Sequence, residues 1–124
     1  MPERDPFTER VIGLAIDVHR ELGPGLLESA YEECLCYELN AAGIPFRKQV
    51  PLAVRYKEVR LDCGYRMDVV VDERVVVELK TVEALQRVHE AQLLTYLRLS
   101  GIRTGLLMNF NSPVLKDGIR RLVL

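Results

Sequence analysis

The chain has 124 residues, of which 48% are hydrophobic and 28% are charged, and its formal net charge is −1. This length and composition indicate one globular domain over residues 1–124 and exclude a disordered chain. No apolar run approaches the roughly 20 residues of a membrane span, so no membrane association is predicted. The charged N-terminus lacks the apolar region of a secretory signal. The near-neutral charge provides no global basic field, which argues against a stable, non-specific DNA binder.

The cysteines Cys34, Cys36 and Cys63 bear on the compartment. Their odd number and the absence of CxxC spacing argue against a disulfide framework and against a zinc site. We therefore expect a reducing environment and a cytoplasmic protein.

Two helices are predicted at the start of the chain. Asp5-Pro6 is typical of a helix start, and apolar residues at helical spacing predict a helix over about residues 6–22. His19 is expected on the polar, solvated side of this helix. A second helix is predicted over about residues 26–42, followed by a glycine that is typical of a C-terminal stop.

Strand patterns follow these helices. Alternating apolar residues predict a strand over residues 46–56, in which Pro51 suits an edge position or a bulge. A turn leads into a second strand that begins near Val59. Two valine runs, at residues 69–71 and 75–77, are joined by a polar turn, and this pattern predicts a hairpin.

The last elements are a helix and two strands. Helical periodicity returns over residues 85–100, and apolar strands are predicted over residues 104–110 and 119–124. The residues expected to face the core from this helix are Val88, Ala91, Leu94, Thr95 and Leu99. His89, Gln92 and Tyr96 are spaced three and four residues apart, so they share a separate stripe.

Charged residues at the far ends of the valine hairpin predict a chemical site. A symmetric pairing that places Val71 opposite Val75 also places Asp68 opposite Glu78, with Cβ atoms roughly 4.5–5.5 Å apart. Glu78 shares its strand face with Lys80, because side chains alternate along a strand. Two carboxylates this close repel unless a proton or a cation lies between them, and a divalent cation meets that need best.

The register of the hairpin decides this interpretation. A shift of one residue would place Asp68 and Glu78 on opposite faces, and the valines between them permit either pairing. The alternative is a solvent-facing hairpin whose charges lie along an exposed edge.

Three further candidates have plain structural explanations from spacing alone. Glu28 lies in the first turn of the second helix, where an acid favours the helix dipole whatever its function. Gln92 and Tyr96 on a half-buried helix face are commonly packing partners. Their polar tips in one row nevertheless suggest a binding surface.

Several segments together resemble a known family. Gly25-Leu-Leu-Glu28-Ser-Ala-Tyr31 looks like the signature of the small GxxExxY proteins, a branch of the PD-(D/E)XK nuclease superfamily. Gly64-Tyr-Arg-Met-Asp68, Val77-Glu-Leu-Lys80 and His89-Glu-Ala-Gln-Leu-Leu-Thr-Tyr96 fit the same resemblance. It covers nearly the whole chain. It implies an α/β fold of the α+β type with a mixed sheet, namely a restriction-endonuclease-like αβββαβ core over about residues 26–124, preceded by one extra helix.

The resemblance also implies roles for particular residues. Asp68 and Glu78 would be metal ligands, with the Leu79 carbonyl as a third protein oxygen, and Glu28 would complete the acidic cluster. Lys80 would orient or activate the attacking water. The pair Gln92 and Tyr96 matches the QxxxY helix motif of RecB-like nucleases, which borders the site. Met67 occupies the position where the superfamily name has proline, and this proline is often absent.

The function implied is a Mg²⁺- or Mn²⁺-dependent nuclease. Oxygen ligands select these hard cations over zinc, and phosphodiester hydrolysis needs both a nucleophile and relief of negative charge. The expected partner is a nucleic acid, DNA rather than RNA, and a homo-oligomer is expected because one small domain offers little surface for gripping a duplex. The alternative is a non-catalytic interaction module that retains the nuclease fold.

Overall fold

The computed structural model describes residues 5–124, and its elements follow the predicted order. The helices are α1 (Pro6–Leu22), α2 (Glu28–Ala41) and α3 (Arg87–Ser100), with a short 3-10 helix at Leu115–Gly118. The strands are β1 (Phe46–Tyr56), β2 (Val59–Val71), β3 (Val75–Lys80), β4 (Thr104–Asn109) and β5 (Ile119–Val123). Among residues 5–124, no helix combines the length and apolar character that crossing a lipid bilayer requires.

The helix ends follow from local sequence. Asp5 caps α1, because its carboxylate accepts hydrogen bonds from the backbone N–H of Phe7 and from the hydroxyl of Thr8. Proline at the first helical position fixes φ without losing an intrahelical hydrogen bond. Gly101 ends α3 in the left-handed conformation that favours glycine.

The strands of the described chain form one mixed sheet in the order β1-β2-β3-β4-β5. Neighbouring strands are antiparallel except β3 and β4, which are parallel and joined through α3. The hairpin between β2 and β3 pairs Val71 with Val75 and Val69 with Val77. The symmetric register predicted for the valine hairpin is therefore confirmed.

The sheet separates two hydrophobic cores. One lies against α1 and α2, and its strand residues are Val69, Val71, Val75, Val77, Leu79, Leu106, Met108 and Phe110. The other lies against α3 and includes Val70, Val76 and Leu107. Side-chain alternation along β3 therefore places Glu78 and Lys80 on the α3 side of the sheet.

The β1–β2 ribbon, residues 50–56 and 59–67, continues beyond the end of β3 and changes orientation as it does so. Val69 belongs to the α1–α2 core, whereas Met67, two residues earlier, belongs to the α3 core. Regular alternation would keep both on one face. The change coincides with Gln49, which lies between the partners of these residues and has a φ of 52°.

Two predictions about side-chain environment are wrong. From α3 the residues that are buried are Leu93, Tyr96 and Leu97. Of the residues predicted for the core, Leu94 and Thr95 are half-buried, whereas Val88, Ala91 and Leu99 are exposed. His19 is buried rather than solvated, and a nitrogen of its imidazole ring lies 2.8 Å from the carbonyl oxygen of Ser112.

Candidate active site

The centre of the candidate site is the gap where β2 and β3 separate. The backbone ladder between these strands stops at Val69 and Val77, and the next two residues are joined through their side chains instead. The backbone N–H of Asp68 donates to Oε1 of Glu78 at 3.0 Å, and the N–H of Leu79 donates to Oδ2 of Asp68 at 2.9 Å. The two carboxylates therefore face each other, and we refer to Asp68, Glu78 and Leu79 as the carboxylate gap.

Burial sets the electrostatics of this gap. Only 3% of the Glu78 surface is exposed, and Asp68 is half-buried. Burial first, and then the negative charge of Asp68, raise the pKa of Glu78 from 4.5 to about 9, against the lowering effects of the Asp68 N–H and of Lys80. At pH 7 and without a bound cation, Glu78 is therefore protonated.

The Leu79 backbone is turned toward the same gap. Its N–H donates to Asp68, and in an extended strand the N–H and C=O of one residue point to the same side. The Leu79 carbonyl oxygen is therefore directed between the strands, beyond the end of their backbone ladder. By contrast, the carbonyl oxygen of Lys80 accepts from Phe110 N–H at 2.8 Å, on the β4 side.

Glu28 and Lys80 border the gap from different elements. Lys80 is half-buried at the end of β3, and Glu28 is exposed at the first position of α2. Although much of Glu28 is exposed, partial desolvation of its carboxylate raises its pKa. The Lys80 ammonium and the Thr81 backbone N–H lower this pKa, and the charge of Asp68 raises it. These groups therefore share one electrostatic environment.

The donor set fits a hard cation only in part. Carboxylate and carbonyl oxygens are the ligands that Mg²⁺ and Mn²⁺ prefer. Within residues 5–124, however, no three side chains of the His, Cys, Asp and Glu types lie close enough together to hold a metal ion. The structure thus brings Asp68 and Glu78 together but leaves Glu28 outside their immediate contact.

The segment before Glu28 is held by Tyr31. This fully buried tyrosine stacks on Phe110 with ring centroids 4.6 Å apart. Its hydroxyl donates to the carbonyl oxygen of Gly23 at 2.5 Å and accepts from the N–H of Leu26 at 3.1 Å. The glutamate and tyrosine of the GxxExxY pattern thus have different tasks, because the tyrosine fixes the turn from which the helix bearing the glutamate begins.

Asn109 holds the segment that follows Lys80. It is 2% exposed at the end of β4, where it pairs in register with Lys80. Its side-chain amide donates to the carbonyl oxygen of Val82 at 2.9 Å and accepts from the N–H of Val82 at 3.1 Å. This two-point contact fixes the path of the chain directly after the lysine.

Helix α3 brings Tyr96 to the carboxylates. Tyr96 is buried, and its pKa is raised to about 12 by burial first and then by the charges of Glu78 and Asp68. Its hydroxyl is therefore protonated at physiological pH. Gln92 and Tyr96 also line a groove of about 500 Å³ with Tyr65, whose ring meets that of Tyr96 edge-on at 6.2 Å.

The remaining polar residue of the α3 stripe has a structural task. His89 accepts a hydrogen bond from the N–H of Gln86 through Nδ1 at 2.9 Å and completes a capping box with the Gln86 side chain. It therefore stabilises the start of α3 rather than joining Gln92 and Tyr96 in the groove.

A second acid on α2 flanks the gap. Glu32 lies one turn after Glu28, and its pKa is raised by partial burial and further by the charge of Asp68. The side-chain amide of Gln49 donates to Glu32 at 2.7 Å. Gln49 lies opposite Asp68 in the register of β1 and β2, and its backbone is left-handed. Its side chain contacts Glu32 on α2 rather than a residue of β2.

The fold and the gap together define a restriction-endonuclease-like domain, with paired acids and a lysine at the separation of two strands. A sequence model described as the PD-(D/E)XK nuclease superfamily matches residues 5–122. The chain belongs to this superfamily, and the predicted α+β fold class is confirmed. No curated protein and no solved structure gave a significant match.

Sequence reasoning missed Asn109, Glu32 and Tyr65. A polar residue at the end of an otherwise apolar strand was a usable signal for Asn109. Glu32 could have been found by its spacing of four residues from Glu28, which places both on one helix face. Tyr65 lies within the segment Gly64-Tyr-Arg-Met-Asp68, but spacing along β2 gives no signal for its contact with Tyr96 of α3.

Proposed function

We propose that this protein is a metal-dependent nuclease of the GxxExxY branch, acting on phosphodiester bonds in DNA in preference to RNA. Membership of the nuclease superfamily supports a nucleic-acid substrate. The observation that carries the proposal is the carboxylate gap. A buried glutamate whose pKa is raised to about 9 beside a second carboxylate is a poor structural element and a good cation site.

Asp68 and Glu78 would hold the cation, with the Leu79 carbonyl as a third protein oxygen. One oxygen of each carboxylate accepts a backbone N–H, which fixes the orientation of the other oxygen. Bound Mg²⁺ or Mn²⁺ supplies positive charge to the phosphoryl oxygens and acidifies a water molecule.

Lys80 is assigned to the water nucleophile and to the negative charge that develops on the phosphoryl group. It shares the α3 side of β3 with Glu78, and within the described residues its ammonium has no carboxylate within 4 Å. A cation that no ion pair neutralises is available to the substrate. The Asn109 contact with Val82 keeps the chain beyond Lys80 in place while this occurs.

Glu28, Gln92 and Tyr96 are assigned to the border of the site. Glu28 is placed to receive a proton or to hold a water molecule, because its pKa is raised and Lys80 lies in its field. The protonated hydroxyl of Tyr96 and the amide of Gln92 are donors suited to phosphate oxygens.

Cleavage assays test the proposal directly. Purified protein is incubated with single-stranded, double-stranded and structured DNA and RNA, with Mg²⁺, with Mn²⁺ or with chelator. Metal-dependent cleavage that Glu78→Ala and Lys80→Ala abolish is expected. Glu73→Ala, an exposed acid in the turn of the same hairpin, is the matched control and should cleave like wild type.

The second candidate function is a non-catalytic interaction module. The observation that favours it is that Glu28 does not join Asp68 and Glu78 in one cluster. Calorimetric titration separates the two: absence of Mg²⁺ and Mn²⁺ binding at millimolar concentration, together with absence of cleavage, would establish the module. Light scattering would test the accompanying proposal that the protein is a homo-oligomer.

A further inference from the structure

Three arginines converge at the far end of the β1–β2 ribbon. Arg55 and Arg60 pair directly across the ribbon, and Arg98 approaches from α3. Together they line a cavity of about 450 Å³ whose remaining walls are Pro51, Leu52, Ala53 and Leu99. We refer to Arg55, Arg60 and Arg98 as the arginine pocket.

Within residues 5–124, no carboxylate lies within 4 Å of these arginines, and the ion pairs formed by described residues all lie elsewhere. Arg98 donates one hydrogen bond to the hydroxyl of Thr95 at 3.1 Å, which orients its guanidinium without neutralising it. Like charges directly opposite each other on a ladder are destabilising. A chain with a net charge of −1 thus keeps three cations together, and no carboxylate of residues 5–124 forms an ion pair with them.

The chemistry of the pocket specifies its ligand. Guanidinium groups present planar, paired N–H donors that match phosphate oxygens, and they remain charged at every physiological pH. Exposed arginines that line one open cavity favour an anion that accepts paired N–H hydrogen bonds over a neutral molecule. Phosphate is therefore the class of group that fits.

We propose that the arginine pocket binds backbone phosphates of the nucleic acid whose scissile bond lies at the carboxylate gap. The inference rests on the proposed function for the choice of nucleic acid as the source of the phosphate. It adds a second anchoring point, remote from the chemistry, that none of the residues assigned above supplies.

The distance between the two sites sets the length of substrate required. Gln49 lies opposite Asp68 in the ribbon register, and Arg55 follows six residues later. Six residues of strand span about 20 Å. The groove beside Tyr65 and Tyr96 lies along this path. A duplex that spans both sites needs about six base pairs, since the rise is about 3.4 Å per step along one strand.

Binding is measured without metal, so that catalysis plays no part. Fluorescence anisotropy of a labelled 20-nucleotide DNA, single- or double-stranded, is recorded in chelator for wild type and for Arg55→Gln/Arg60→Gln. The double variant is expected to bind at least about tenfold more weakly. For this variant, the slope of the logarithm of the binding constant against the logarithm of the salt concentration should be smaller in magnitude by about two. Removing opposed like charges should leave its melting temperature equal to or above that of wild type.

The charge-matched control is Arg10→Gln/Arg20→Gln, on the exposed side of α1 across the sheet from α3. Equal loss of affinity in the two double variants would overturn the proposal, because the arginines would then act only through net charge. Tight binding of inorganic pyrophosphate without binding of DNA would also overturn it. For oligonucleotides much shorter than six nucleotides, wild type and the Arg55→Gln/Arg60→Gln variant should bind with equal affinity.

Failure here is distinguishable from failure of the proposed function. A protein that binds DNA through the arginine pocket but never cleaves it contradicts the nuclease assignment alone. A protein that cleaves DNA with metal, and whose Arg55→Gln/Arg60→Gln variant binds normally, contradicts the arginine pocket alone.

Discussion

The two faces of the sheet differ in the polarity of the strand residues that they bury. On the α1–α2 face, the residues that β2, β3 and β4 contribute to the core are all apolar, from Val69 in β2 to Met108 in β4. On the α3 face, the apolar residues Val76 and Leu107 give way to Glu78 and Asn109 toward the ends of β3 and β4. The same alternation of side chains therefore produces a packed core on one side and buried polar groups on the other.

This difference in polarity has opposite effects on the stability of the fold. Apolar burial contributes about 25 cal/mol per Å² without needing partners, whereas a buried carboxylate is unfavourable unless a proton or a cation accompanies it. The α1–α2 face therefore stabilises the fold. The α3 face carries Glu78, whose burial lowers stability and to which the proposed function assigns the chemistry.

The largest expected effect comes from the apolar face. Leu35 is fully buried in the α1–α2 core, so Leu35→Ala should lower the free energy of unfolding by about 2–5 kcal/mol. Lys80→Ala, on the other face, should abolish cleavage with little change in stability. Urea denaturation of both variants measures this contrast, and a reversed order of the two effects would contradict the division of labour between the faces.

The pH dependence of stability tests the polar face. Glu78 has a folded-state pKa of about 9 against an ordinary value of 4.5. Between these values the folded protein holds a proton that the unfolded chain has lost, so raising the pH favours unfolding by up to about 1.4 kcal/mol per pH unit. Without metal, the melting temperature of wild type should therefore fall as pH rises from 5 to 9, and Mg²⁺ should restore it by binding the folded form.

Glu78→Gln is the control for this pH effect. It removes the ionisable group but keeps the shape, so the folded protein no longer needs to take up a proton; the variant should melt higher than wild type in chelator and show no response to Mg²⁺. Glu28 and Glu32 have pKa values shifted in the same direction and leave a smaller residual slope. A Glu78→Gln variant that melts lower than wild type and still gains stability from Mg²⁺ would exclude a metal site at these carboxylates.

An intermediate effect is expected at Asn109. Asn109→Leu leaves the N–H of Val82 without its partner and the C=O of Val82 with only the longer contact to Asn111, in a partly buried position, which should cost about 1–3 kcal/mol. Because this contact fixes the chain after Lys80, cleavage should fall by more than substrate binding does. Asn111→Ala, whose amide lies 3.4 Å from the same carbonyl at an exposed position, should change both little.

The smallest effect is expected at Tyr31. Tyr31→Phe keeps the stacking on Phe110 but removes the hydrogen bonds to Gly23 and Leu26, at a cost of about 1 kcal/mol. If the hydroxyl places the start of α2, the variant should also weaken any effect of Glu28 on cleavage. Tyr37→Phe, on an exposed part of α2, should be neutral in thermal melts.

Part of this architecture could be predicted from local pattern. The valine runs around the three-residue turn, Asp72-Glu73-Arg74, predict a hairpin but permit two registers. The symmetric register, which the metal interpretation required, is the one observed, and it brings Asp68 and Glu78 together. The start of α1 also followed from sequence, because Asp5 and Pro6 act through contacts within one helical turn. Interactions of short range leave a readable pattern.

The packing face of α3 could not be predicted in the same way. Its sequence offers two apolar stripes, and the one chosen as core contains Val88 and Leu99, whereas the buried one contains Leu93 and Leu97. The buried stripe packs against Leu52, Val76 and Leu107, which are distant along the chain, and no local periodicity reveals such contacts. His19 was misjudged for a related reason, since its partner at Ser112 is 93 residues distant along the chain.

The sheet order also has a consequence for self-association. β1 lies at one margin of the sheet formed by residues 5–124, and a long margin strand normally offers unpaired backbone groups to a second chain. Here the left-handed Gln49 breaks its extended path, and Pro51 removes one N–H donor from it. At the opposite margin, β5 is only five residues long and carries Arg120 and Arg121. Both margins thus resist the strand-to-strand stacking that leads to aggregation, so any physiological oligomer is expected to assemble through other surfaces.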